Sequence, residues 1–184
     1  MKIKVKSHCD IFIGDFPFHK KLKEDLVPLL EAYDDRQNRK TNVQATMTEW
    51  KWDPPVPRLK RLKQCIMEDV HSYSESKDGR NELPSTLRFR NFFGNIYREG
   101  DYTIKHNHIP FYYSMVYFLK SKMNYSPLIF TQYSERIKPK EGRYVIWPSH
   151  LWHHVPKHKF KETRITFSGN LRIRTPKTSI FKEL

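Results

Sequence analysis

Cysteine is scarce in this chain: Cys9 and Cys65 are the only two among 184 residues. They lie far apart and fit no CxxC or Cys/His finger spacing, which excludes a disulfide framework and a finger-type zinc site and points to a reducing compartment. Long apolar runs are missing as well. No stretch approaches the roughly 20 apolar residues of a membrane-spanning helix. The opening MKIKVKSHCDIFIGDF alternates Lys with Ile and Val, as a strand does, where a secretory leader would be continuously apolar. A cytoplasmic setting with no membrane partner is therefore expected. Internal repeats and low-complexity linkers are also absent, so a single domain over 1–184 is expected.

Acidic residues are the third shortage. Against 34 Lys and Arg there are only 20 Asp and Glu, a formal charge of +14, spread from Lys2 to Lys182. Such a field attracts polyanions, whether nucleic acid or an acidic protein surface, through forces that salt screens. A dispersed basic balance also serves solubility alone, so charge by itself does not choose a partner. Apolar residues make up 38%, a modest share, but Phe, Trp and Tyr supply 14% and bury much area each, so a compact core is feasible.

What is present divides at about residue 85. In 1–85, Phe18 to Arg36 places Leu22, Leu26, Leu29, Leu30 and Tyr33 on one helical face, and Pro28 is expected to kink or divide that helix. PRLKRLKQCIMEDVHSY repeats Leu59, Leu62, Ile66, Val70 and Tyr73 at three- and four-residue steps, an amphipathic helix. Between them TNVQATMTEWKWD reads as extended, ended by Pro54 and Pro55. Over 86–175 the grammar changes. LRFRNFFGNIY, DYTIKH, FYYSMVYFL, SPLIFTQ, RYVIW and RITFSGNLRIR follow one another as short strands between turn signals. The fold expected is mainly β within the α+β class, a sandwich or barrel with two N-terminal helices against one outer face.

Two stretches carry chemistry. In YREGDYTIKHNHIP, strand alternation would point His106 and His108 the same way, about 7 Å apart, within reach of one ion. With nine histidines in the chain, the HxH triplet alone reads equally well as two solvated imidazoles. RYVIWPSHLWHHVPKHKFKETRITFSGN follows a strand and a Pro-Ser turn with His150, His153, His154 and His158, any of which could supply a third ligand. It then opens a strand with Arg164, in phase with Thr166 and Ser168. An arginine so placed suits bidentate capture of a carboxylate, because its planar fork keeps its charge when partly buried.

The ordered set YxxGxxxxxHxH, SMVYFL, PKEGRYVIWPSHLWHHV and ETRITFSGN resembles the iron(II)/2-oxoglutarate-dependent dioxygenases. More narrowly it resembles a group of such oxygenases from phage and bacterial genomes, over about Thr86 to Arg172, with a fainter similarity in TNVQATMT. The resemblance implies a double-stranded β-helix of the jelly-roll or cupin kind, with Fe(II) and 2-oxoglutarate as cofactors, in the cytoplasm of a bacterium or phage-infected host. Position by position it makes His106, His108 and His153 the metal ligands. It makes Arg164, assisted by Thr166, the clamp on the distal carboxylate of 2-oxoglutarate, and puts Tyr97 and an inward-facing Ser114 near that cosubstrate. No further catalytic residue is implied beyond the metal ligands.

The chain departs from the pattern twice. His108 stands where most of the superfamily has a carboxylate, so Asp101, Glu135 and Glu141 are the acids to watch near the metal. Phe118 replaces a common tyrosine, which shifts more of the cosubstrate's binding to Arg164 and Thr166. The activity implied is hydroxylation of a C–H bond by O2, with 2-oxoglutarate leaving as succinate and CO2; the substrate, whether small molecule, protein or nucleic acid, is not legible. Two rival readings stand beside it. One is a non-catalytic basic β-rich protein that binds nucleic acid or a phage partner, its bases stacking on LRFRNFFGNIYR. The other is a three-histidine cupin oxygenase that needs no 2-oxoglutarate.

Overall fold

The computed structural model describes residues 9–33, 41–75 and 87–173. The alternating MKIKVK stretch and the expected helical residues beyond Tyr33 therefore fall outside the described residues.

Two helices form where the apolar spacing predicts them. α1 (His19–Glu31) buries Leu22, Leu26 and Leu30 completely, and α2 (Pro57–Glu75) does the same with Leu59, Leu62 and Ile66. Pro57 opens α2, where a missing N–H costs nothing. Pro28 does not divide α1 as expected. It lies on the exposed side of the helix, between the buried anchors Leu26 and Leu30, so the carbonyl it leaves without a donor faces water. Leu29, expected on the apolar face, is 48% exposed.

Among the described residues, eleven strands build two facing sheets. They are β1 (Phe12–Asp15), β2 (Val43–Gln44), β3 (Thr46–Met47), β4 (Leu87–Tyr97), β5 (Tyr102–His106), β6 (Tyr113–Lys120), β7 (Leu128–Phe130), β8 (Glu135–Ile137), β9 (Arg143–Pro148), β10 (His153–Val155) and β11 (Arg164–Ile173). The larger sheet runs β1-β9-β6-β11-β4-β3 and the smaller β2-β5-β10-β7-β8, with all their ladders antiparallel. This is the jelly-roll arrangement expected. The segment ahead of residue 86 does more than buttress it, since β1 and β3 extend the larger sheet and β2 the smaller. Strands β8 and β10 are additions too short to announce themselves as alternation.

The larger sheet has two unlike faces. Outward, Ile96, Met115, Tyr117, Ile165, Phe167 and Leu171 pack against both helices in one apolar core. Each such side chain removed from water contributes about 1.5–3 kcal/mol, which is what holds the helices on. Inward, a second cluster of Val116, Phe118, Phe130, Val145 and Trp147 packs between the sheets. Polar side chains share that inner face, and the site lies among them.

Candidate active site

β5 delivers His106 at its last residue and β10 delivers His153 at its first; the strands are antiparallel neighbours and the two histidines stand in register. His108 arrives differently. The strand expected to carry both members of HxH ends at His106, and the chain leaves the ladder for a turn through the cis Ile109–Pro110 bond. The His108 N–H donates to the Ser149 carbonyl at 2.8 Å, and the Ser149 N–H donates to the Tyr112 carbonyl at 3.0 Å. The Pro-Ser turn is thus a clasp on the His108 loop. As a result the His106 ring centroid lies 4.7 Å from that of His108 and 4.4 Å from that of His153. One ring nitrogen of each of the three lies within 4.8 Å of the others.

These rings are prepared to bind a cation. Nδ1 of His106 is 2.7 Å from the Ile104 carbonyl and Nδ1 of His153 is 2.9 Å from the Leu151 carbonyl. A carbonyl only accepts, so Nδ1 carries the proton and Nε2 presents its lone pair. Burial keeps all three imidazoles neutral: it lowers His106, pushes His108 down to about 2 and His153 to about 3, and repulsion between the rings adds to the effect on the last two. Three neutral imidazoles with one nitrogen each turned to a common point, His106 and His153 buried, are a metal-binding arrangement. No carboxylate joins the group among the described residues. The Asp101 carboxylate accepts from the Arg98 N–H, Glu141 binds Lys23, and Glu135 is exposed on β8. His150 is exposed beside Cys9, while His158 is buried with Nε2 on the Glu162 carbonyl.

Across the cavity, β11 points Arg164, Thr166 and Ser168 inward, at the alternate positions read from the sequence, and Asn170 after them. Arg164 is 1% exposed, its guanidinium 4.9 Å from the centroid of Tyr97 and 5.7 Å from that of Phe118. Its Nε and Nη1 have no hydrogen-bond partner. Burial lowers its pKa, yet an arginine keeps its proton, so a full charge sits buried between two aromatic rings. That costs several kcal/mol unless something negative binds there. The residues therefore fit a ligand with a carboxylate at one end and metal-binding oxygens at the other. Arg164, Thr166, Tyr97 and all three histidines line one cavity of about 50 Å³. It opens past His106 and His108 into a mouth of about 440 Å³ walled by Trp50, Phe93 and Phe111.

Ser114 faces inward as expected but stands one step back. Its hydroxyl lies 2.7 Å from Ser149 Oγ and 2.7 Å from Asn170 Oδ1, to which it donates, so it braces the clasp and Asn170. The Tyr97 hydroxyl is likewise taken up, 2.8 Å from that of Thr103. Sequence reasoning passed over Ser149, Asn95 and Asn170. Asn95 donates to Ser168 Oγ at 2.9 Å and more distantly to Thr166 Oγ1 at 3.4 Å, and Asn170 lines both cavity and mouth. A signal was available: Asn170 continues the two-residue step of Arg164, Thr166 and Ser168, and Asn95 interrupts the aromatic and aliphatic run from Phe92 to Tyr97.

Comparison with known proteins agrees with this geometry. Residues 131–170, which contain His153 and Arg164, match the model of a family described as "Putative 2OG-Fe(II) oxygenase". No curated protein matches the sequence significantly. Among solved structures the chain is similar to a prolyl-4-hydroxylase from Pseudomonas putida, with TM-score 0.67 and 14% identity over 89% of this chain and 92% of that one. A viral collagen prolyl hydroxylase of Paramecium Bursaria Chlorella virus-1, solved with 2-oxoglutarate, aligns with TM-score 0.64 and 16% identity over 89% and 96%. A Trichoplax adhaerens prolyl hydroxylase, solved with a peptide fragment of a hypoxia-inducible factor, gives 0.66 and 15% over 89% and 83%. The resemblance read from HxH, PSxLxH and the arginine strand thus has a family-model match and a shared jelly-roll fold behind it.

Proposed function

We propose that this protein is an Fe(II)- and 2-oxoglutarate-dependent oxygenase that hydroxylates a C–H bond of its substrate. One O2 and one 2-oxoglutarate are consumed; one oxygen atom enters the substrate as hydroxyl, the other enters succinate, and CO2 leaves. The observation that carries this reading is the orphaned Arg164 guanidinium on the same cavity wall as Thr166, opposite three neutral histidines. The pairing favours 2-oxoglutarate over a cupin chemistry that would leave the buried arginine with no counter-ion.

His106, His108 and His153 would hold the iron, with Nε2 of the first and last already turned inward. The bound iron and cosubstrate supply the oxidising power, while the protein supplies open coordination positions and a dry cavity. Arg164 and Thr166 bind the distal carboxylate. Tyr97 and Phe118 cover the guanidinium's faces and exclude water, which strengthens its pull on an anion. Since no ligand is acidic, the centre keeps the full charge of the ion, and an anionic cosubstrate offsets it. Asn95 and Ser114 act through others: the first orients Ser168 and Thr166, the second Asn170.

Anaerobic addition of Fe(II) and then 2-oxoglutarate should give a weak visible charge-transfer band. Arg164→Ala should raise the 2-oxoglutarate requirement for succinate formation by about 100-fold or more with the circular dichroism unchanged. A missing band, or unaltered succinate formation in the variant, would remove this reading.

A further inference from the structure

β4 is covered on one side by β11 along its length, but on the other its partners run out. Met47 and Thr46 pair with Asn95 and Ile96, Lys51 bridges Phe92, and between Leu87 and Asn91 no strand among the described residues takes up that edge. A groove of about 450 Å³ follows this part of β4. Lys51, Lys63, Arg88, Arg90 and Arg172 line it, against the single acid Asp53. Asp53 is already matched with Lys63 at 2.6 Å. Lys51, Arg88, Arg90 and Arg172 have no carboxylate partner among the described residues, and Nε of Arg172 is buried without any partner. Four like charges along one trough repel one another and gain most from an anionic chain laid between them.

The groove is joined to the active site. Lys51, Arg90 and Asn91 wall both the groove and the mouth that reaches His106 and His108. A register shift in the β4–β11 ladder skips Arg90: Asn170 stands opposite Asn91, and Leu171 opposite Phe89. A bulge of this kind re-aims a side chain beside a site, and here it puts Arg90 at the junction.

We infer that this cationic edge is the docking track for an acidic, extended peptide segment of the substrate, which lies against β4 and leads the reacting residue past Arg90 and Lys51 into the mouth. The inference rests on the oxygenase reading only in calling the bound peptide a substrate. A peptide fits better than a nucleic acid for two reasons. Among the described residues, the β4 edge from Leu87 to Asn91 offers backbone groups that a second backbone can pair with, as in strand addition. The groove's aromatic rings are engaged with one another: Trp52 and Phe92 stack on Phe167 at 5.8 and 5.0 Å, Phe89 meets Phe92 edge-on at 5.5 Å, and Lys63 lies 4.7 Å from the Phe92 centroid. What the groove presents is charge and backbone.

The test uses the full chain and three fluorescein-labelled probes of about eight units, a length that spans one strand edge: a peptide alternating Glu with Thr, its Gln counterpart, and a single-stranded oligothymidylate. Fluorescence anisotropy at low and moderate salt reads binding. The Glu peptide should bind about tenfold or more tightly over the Gln peptide, and R88E/R90E should abolish that margin. K138E/K159E, which removes equal charge elsewhere, should lower Glu-peptide affinity by no more than about threefold. An equal loss in both double variants, or no preference for Glu over Gln, overturns the track. Tighter binding of the oligonucleotide, lost in R88E/R90E, replaces the peptide by a nucleic acid and also overturns it. R88E/R90E should keep the Fe(II)/2-oxoglutarate band. If the wild type gives no band yet binds the Glu peptide through these arginines, the oxygenase reading fails and the docking track stands.

Discussion

The two faces of β11 differ by one residue step and by almost everything else. Ile165, Phe167 and Leu171 look outward into an apolar core whose tyrosine hydroxyls already have partners, Tyr117 on His19 and Tyr144 on Asp69. Arg164, Thr166 and Asn170 look inward, and that wall of the barrel contains groups without hydrogen-bond partners, among them Nε and Nη1 of Arg164 and Oδ1 of Asn95. One strand therefore carries stability on one side and unspent binding capacity on the other. The outer face is complete in the free protein; the inner face is complete only with a ligand.

The sharpest way to break this contrast is to exchange the consequences of its two sides. Phe167→Ala, which empties a fully buried site packed on Phe92 and Trp52, should cost about 3–5 kcal/mol in denaturant unfolding, with 2-oxoglutarate affinity unchanged at temperatures where the protein stays folded. Arg164→Met should do the reverse. Removing an unpaired buried charge should leave the ligand-free protein as stable or about 1–3 kcal/mol more so, while calorimetry finds 2-oxoglutarate binding lost. A large destabilisation by Arg164→Met would mean that the inner face is structural after all.

Acid should separate the faces next. His108 and His153 have folded pKa values near 2 and 3, below the ordinary value of 6.5, so the unfolded chain binds their protons first. The sign follows: stability is full above the unfolded value and is lost as pH falls below it, down toward the folded values. In metal-free protein each should take away up to about 2 kcal/mol between pH 7 and pH 5. Replacing both by Gln should flatten that part of the profile. The smallest effect belongs to Ser114→Ala, which leaves Asn170 Oδ1 short of a donor; about 1–2 kcal/mol of stability and a modest weakening of metal affinity are expected.

Much of this was legible in the sequence because it depends on local periodicity. Helical spacing located α1 and α2, and alternation gave β4 its observed bounds and set Arg164, Thr166 and Ser168 on one face. Pro28 leaves α1 undivided, because its effect depends on which side of the helix faces water. The aromatic strand LRFRNFFGNIYR looked exposed, yet Phe92, Phe93 and Tyr97 are buried between 2% and 4%, since both its faces are covered, one by helices and one by the opposite sheet. His106 and His153 could be paired only through a motif, because the ladder that opposes them joins residues far apart in the chain. The Ser149 clasp was visible as a Pro-Ser turn, but what it holds, the amide of His108, is a long-range contact that no local pattern encodes.

That clasp makes the three candidate metal ligands unequal as sites of change. His106 and His153 are fixed by a strand ladder, and an exchange at either disturbs a register pair. His108 hangs from the Ser149 carbonyl by its own backbone N–H, a bond that any residue except proline can make. Position 108 is thus a socket whose side chain can be swapped while its mounting stays put. His108→Asp, which would recast the centre as two histidines and one carboxylate, should fold as the parent does and offer the iron a different charge from the same place.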